Sequence, residues 1–279
     1  MAPRSTDLQR SLFTFLLAVV FVSAKAQDSL QVTIDSNEVQ SQPIDSISVQ
    51  PASYKLNKAY LLSYFTDLGH VVTRPLHWKG RDWTKFGIFS AVTVGALSAD
   101  WEIRRITQLN HSQFATETAK IVEPFGNRYG VFLFPAMYVA GLATKSDKIQ
   151  SVALGGTKSL AISTLIYATT KTLIRRNRPD RATSSFDFAP PFKRKSFTSS
   201  PSGHSNTIFT VATALALEFK DTKWVPIVAY TIATLTSLSR IYENRHWASD
   251  VVVGAAIGHF VTRAVWKNNN KKTVVRQVW

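Results

Sequence analysis

From residue 55 onward, apolar positions recur in blocks that mix Ala, Leu, Ile, Val and Thr without the strict alternation of a half-buried strand. The blocks run Phe86–Ala99, Tyr129–Thr144, Ser151–Thr172, His204–Phe219, Trp224–Ser239 and Asp250–Trp266. Polar and turn-forming clusters separate them: Lys145-Ser146-Asp147-Lys148, Arg178-Pro179-Asp180, Lys220-Asp221-Thr222-Lys223 and Glu243-Asn244. This pattern predicts an all-α fold, a bundle of about six core helices.

The first 54 residues read differently. Arg4 and Arg10 precede an apolar run from Leu12 to Ser23 that ends in Ala24-Lys25-Ala26, the pattern of a secretory signal peptide. A run of about 12 residues falls short of the roughly 20 that cross a bilayer as a helix. Residues 27–53 are rich in Ser, Gln and Asp, as in a flexible linker. The expected organisation is a signal peptide over 1–26, a linker over 27–54 and one domain over 55–279, in an exported protein. The longest uncharged helical stretches run about 14–16 residues, and Lys158 interrupts the third. Segments this short favour a soluble or surface-associated bundle of buried helices over membrane spans.

Composition narrows the partners. A formal charge of +15 attracts phosphate esters, anionic head groups or nucleic acid. No nucleic-acid motif accompanies that charge, so a nucleic-acid partner is not expected. The chain has no cysteine, which removes disulfides, thiolate metal sites and thiol nucleophiles.

Three clusters in the last third carry chemistry. Lys171 and Arg178 are seven residues apart, two helical turns, so both can leave one helix face, and Pro179 turns the chain beside the second cation. Lysine offers a point charge and arginine a planar fork, a pair suited to a phosphoryl group. Pro201-Ser202-Gly203-His204 reads as a helix start: Ser202 caps, the first amides can hold an anion, and His204 stands beside it. His246 and Asp250, after Ser239-Arg240, are i and i+4, so a carboxylate can fix one ring nitrogen and leave the other free. His and Asp at this spacing can also ligate a metal, but there is no HExxH and the remaining histidines show no ligand spacing. The G-x-S-x-G context of a serine hydrolase is absent as well.

In order and spacing these clusters resemble the signature of the type 2 phosphatidic acid phosphatase (PAP2) superfamily, K-x6-RP, PSGH and SR-x5-H-x3-D, with a match at every position over Lys171–Asp250. The resemblance implies a PAP2/haloperoxidase-like helical fold and a metal-free, cofactor-free phosphatase of monoesters or diphosphates, with a phosphorylated lipid or small phosphate ester as partner at or near a membrane surface. It implies that His246 is the nucleophile, held by Asp250, and His204 the general acid. Lys171, Arg178, Ser202, the Gly203 amide and Arg240 would bind phosphate. The alternatives are a vanadate-dependent haloperoxidase and a non-catalytic lipid-binding relative. Between the first two clusters, residues 181–200 carry Phe186, Phe188, Phe192 and Lys193-Arg194-Lys195, and are expected to form a lid or rim that touches an acyl tail and a head group.

Overall fold

The computed structural model describes residues 54–193 and 196–277, with side chains as far as residue 269. The expected signal peptide, all of the expected linker but Tyr54, and Arg194 and Lys195 of the basic triplet lie outside the described residues. Eight α-helices follow in order: α1 (Lys58–Thr73), α2 (Gly80–Leu109), α3 (Gln113–Val122), α4 (Arg128–Ala143), α5 (Asp147–Ile174), α6 (Gly203–Glu218), α7 (Trp224–Tyr242) and α8 (Ala248–Gln277). Short 3-10 turns, Arg74–His77 and Glu123–Gly126, follow α1 and α3. The all-α expectation holds, and the six apolar blocks lie in α2 and α4 to α8. The two further helices, α1 and α3, are amphipathic pieces without a long apolar block.

Side-chain caps begin several helices. Asn57, Ser112, Ser146 and Ser202 each accept a hydrogen bond from a first-turn amide of α1, α3, α5 and α6. Arg175, in the left-handed region at φ 46°, ends α5 four residues before Pro179.

α6 is the centre of the bundle, packed against α4, α5, α7 and α8. Its apolar side, Ile208, Val211, Ala212 and Leu215, meets Leu133, Phe134 and Met137 of α4, Ile149 and Val152 of α5, and Val225 and Ala229 of α7. Its polar side meets α8 almost backbone to backbone. A Cβ on Gly254 would stand 2.3 Å from the Ser202 carbonyl oxygen, and one on Gly258 2.4 Å from that of Asn206. Two glycines one turn apart therefore let α8 approach the start of α6, where the second and third sequence clusters meet.

α1 and α2 are inside out. The one fully buried residue of the 30-residue α2 is Asp100, while Trp83, Phe86, Ile88, Val92, Val94 and Ile106 face outward. In α1 the buried residues are Tyr60 and Asp67, with Leu61, Leu62 and Phe65 exposed. Lys158 does not interrupt α5. Its ammonium is buried 2.5 Å from Asp67 Oδ2, donates to Ser63 Oγ at 2.8 Å and lies over the Tyr54 ring. A buried charge neutralised in this way lets the helix continue for 28 residues. The expectation that the apolar blocks are all short core helices is therefore corrected for α2, whose apolar side chains do not face the core. Among the described residues one stretch, Ala248–Asn269, is long and apolar enough by length and composition to cross a membrane.

Gly254→Ala should lower the thermal unfolding midpoint by several degrees, because a methyl group cannot fit 2.3 Å from a carbonyl oxygen and overpacking of this kind costs about 1–3 kcal/mol. An unchanged midpoint in a thermal melt would show that α6 and α8 are not in contact here.

Candidate active site

The three clusters converge at the start of α6. Lys171 leaves the last turn of α5 and donates from Nζ to the Thr198 carbonyl at 2.8 Å. Arg178, in the following loop, reaches Thr198 Oγ1 from Nε at 3.4 Å. The two cations are close enough to repel each other, and Arg178 also feels Arg181, Arg245 and Arg240. Like charges pressed together in this way make a site for an anion. Ser202 is fully buried, its N–H donates to the Asp250 carbonyl at 3.0 Å, and its side chain caps α6. Gly203 lies against Tyr167 of α5.

His246 sits in the α7–α8 loop, 4% exposed, with Nδ1 3.9 Å from Asp250 Oδ2. That distance is beyond hydrogen-bond reach, so the two side chains face each other without a formed bond. Burial lowers the imidazole to about 4, against the opposing pull of Asp250 and with help from Lys171 and Arg178. His246 is therefore a neutral ring at ordinary pH, with Nδ1 toward Asp250 and Nε2 available.

Asp250 is held from three sides. Its Oδ2 accepts from the Ser199 hydroxyl and, at 3.0 Å, from the Trp247 amide, and its Oδ1 accepts from Arg176 Nη1 at 2.9 Å. Arg176, 2% exposed, spreads its fork through the interior. Nη1 also reaches Ser249 Oγ at 2.7 Å, Nη2 reaches Asp100 Oδ2 at 2.7 Å, and Nε reaches the Ser185 carbonyl at 3.0 Å. Asp100 in turn accepts from the Ser249 amide at 3.0 Å. Trp247 and Phe188 cover the guanidinium at 5.1 and 5.4 Å. One buried cation thus ties α2, the loop after α5 and the start of α8 around the carboxylate behind His246.

His204, in the first turn of α6, donates from Nε2 to Glu123 Oε1 at 2.7 Å. Arg240, at the end of α7, also faces Glu123 Oε1, at 3.4 Å from Nη1, while Nη2 binds Glu243. So Arg240, expected from the resemblance to bind phosphate, is held here by two carboxylates.

All eight residues singled out from sequence lie in this one region. Those that sequence reasoning missed are Arg176, Asp100, Ser199, Glu123 and Glu243. Asp100 had a readable signal, a lone acid closing an apolar block, since such a charge must find a partner. Arg176 hid among the variable positions between Lys171 and Arg178, and Glu123 belonged to no motif. The described part of the 181–200 segment folds back on the end of α5, with Asn177 N donating to Asp187 O and Phe192 N to Thr172 O. Phe186, Phe188 and Phe192 are all exposed there, and Phe188 also packs on Arg176. Among the described residues no three His, Cys, Asp or Glu side chains converge as metal ligands.

Fold and site together give a helical bundle in which two histidines and several cations gather at the start of one helix. Residues 156–273 match the family model of the PAP2 superfamily. It is similar to the lipid A 1-phosphatase of Porphyromonas gingivalis, 50% identical over 62 residues, which are 22% of this chain and 14% of that protein. It also resembles the undecaprenyl-diphosphatase of Sulfolobus acidocaldarius, 25% identical over 181 residues, 63% of this chain and 82% of that one. Among solved structures it shares its fold with a transmembrane PAP2-type phosphatidylglycerolphosphate phosphatase from Bacillus subtilis. The TM-score is 0.50 at 23% identity, covering 76% of this chain and 95% of that one.

Two outcomes check the site. In a histidine NMR titration His246 should have its midpoint near 4. Since this lies below the unfolded value of about 6.5, its contribution to stability should be lost as pH falls from 6.5 toward 4; a midpoint near 6.5 would contradict its burial. Arg176→Gln should cost about 3–5 kcal/mol in chemical unfolding, because it leaves Asp100 and Asp250 as buried unpaired charges.

Proposed function

We propose that this chain is a membrane-associated phosphatase that removes phosphate from a lipid-linked ester or diphosphate through a phosphohistidine on His246. The observation that carries this reading is the neutral, buried His246 ring, backed by Asp250 and facing Lys171 and Arg178. A neutral imidazole is a nucleophile, and the cations neutralise charge on the phosphoryl oxygens as it transfers.

Phosphate sits on Lys171, Arg178 and the Ser202–Gly203 amides, and Arg240 turns toward it from Glu123. His246 Nε2 attacks phosphorus, the ester P–O bond breaks, and His204 gives its proton to the departing oxygen. Water then attacks the phosphorus while His204 takes a proton from it, the P–N bond breaks, and inorganic phosphate leaves. A general acid so placed contributes roughly 10²–10⁴ in rate.

Two supports point to a lipid substrate. The relatives are named for lipid A and undecaprenyl diphosphate. Phe65, Ile88, Val94, Phe132, Val139 and Ile227, from four helices, are all exposed, and large apolar side chains exposed in such number suit a membrane. The 181–200 segment, with Phe186 and Phe192 exposed near the site, serves in this reading as the rim that meets the substrate's tail.

Phosphate release from a panel of lipid and soluble esters by purified protein tests this. It should be insensitive to EDTA, inhibited by vanadate and higher for lipids. His204→Ala should lose about 10²–10⁴ in kcat, and His246→Ala essentially all turnover. Near-normal turnover by His246→Ala, or strict dependence on an added divalent metal, would refute the reading.

A further inference from the structure

Glu123 touches both His204 and Arg240, yet the steps above give it no task. Its turn is not a loose one: Pro124, Phe125 and Gly126 are buried, and Thr236 of α7 donates to the Val122 carbonyl at 3.0 Å. A Cβ on Gly126 would stand 2.9 Å from His204 Cβ and 2.8 Å from Thr236 Cγ2, so the turn presses directly on both helices. Glu123 is thereby delivered to His204 Nε2 at 2.7 Å and to Arg240 at 3.4 Å. A carboxylate only accepts, which places a proton on Nε2. The His204 bond, then Arg240 and Arg128, keep the Glu123 carboxyl below the usual carboxylate range despite partial burial, so it is charged at neutral pH.

We propose that Glu123 determines leaving-group specificity, favouring a departing oxygen that leaves as an uncharged alcohol over one that leaves as a second phosphate. This rests on the roles given to His246 and His204 above. The transferred phosphoryl group meets the same cations in a monoester and in a diphosphate. The two substrates differ in what departs on the His204 side. An alcohol takes the proton and leaves neutral. A terminal phosphate cleaved from a diphosphate leaves behind a charged phosphate monoester, within a few ångströms of a fixed carboxylate in a partly buried site, where like charges repel strongly. Glu123 also competes for Arg240 Nη1 with any second phosphate on that side.

The test uses a matched pair, the monophosphate and the diphosphate of one long-chain alcohol in detergent micelles, with the purified full chain and its Glu123→Gln and Glu123→Asp variants. The parent should favour the monophosphate in kcat/KM. Glu123→Gln should narrow that ratio by about tenfold, the effect of some 1.4 kcal/mol at the transition state, while Glu123→Asp keeps it. An unchanged ratio in Glu123→Gln, whether both rates persist or fall together, would overturn the proposal and leave Glu123 as a support for His204 alone. A parent that favours the diphosphate would overturn it too. Binding of inorganic phosphate and pyrophosphate, measured by calorimetry on the same proteins, separates this idea from the one beneath it. If neither ester is hydrolysed but Glu123→Gln gains affinity for pyrophosphate relative to phosphate, the charge selection stands and the phosphatase reading falls. If hydrolysis proceeds and neither ratio moves, the specificity proposal alone falls.

Discussion

The Arg176 guanidinium, gripped between Asp100 and Asp250 with almost no contact with water, holds together three parts of the chain that are far apart in sequence. Each partner alone would be a charge in the interior at a cost of several kcal/mol. Together with Ser249, Ser185 and Ser199 they satisfy one another, and the site is built on the result. Asp250 cannot swing toward solvent, so its carboxylate stays behind His246. The loop that carries Arg178 cannot lift from α5, because Arg176 lies within it. α2, most of whose large apolar side chains look outward, is anchored to the site through Asp100.

The second constraint is the close approach of α8 to α6. Gly254 and Gly258 bring the α8 backbone against Ser202 and Asn206, so the helix start that would hold an anion and the histidine that would attack it come from elements in direct contact. Phosphoryl transfer has little covalent work for a protein to do beyond placement and charge. A rigid polar seam between two helices suits that demand better than a mobile loop would. The seam also explains why α6 carries so many buried Ser, Thr and Asn residues in what is the middle of the bundle.

Much of this was legible from the residues in order. The six apolar blocks became helices, the polar clusters between them became their ends, and the motif residues Lys171, Arg178, Ser202, Gly203, His204, Arg240, His246 and Asp250 came to one place. What escaped has a common cause. Periodicity reveals that a helix has an apolar face, but not whether that face looks to the core or outward. For α2 it looks outward, and the informative residue was Asp100, not the apolar side chains around it. Lys158 was misread for the same reason, since a sequence shows a charge but not the buried Asp67 that cancels it. Arg176 and Glu123 act through partners about 75 and 80 residues away, at Asp100, Asp250 and His204, and no local pattern announces such pairs. The i, i+4 spacing of His246 and Asp250 did place them face to face, although at 3.9 Å, too far for a bond.

The central claim is that His246 carries the phosphoryl group. Rapid mixing with a phosphate-labelled lipid ester, quenching in alkali, where phosphohistidine survives, and mapping the label by mass spectrometry tests it most directly. The account predicts label on the peptide containing His246, accumulating in His204→Ala if that variant slows the water step and absent in His246→Ala. Label on another residue, or full turnover with no covalent phosphate at any time point, would contradict it.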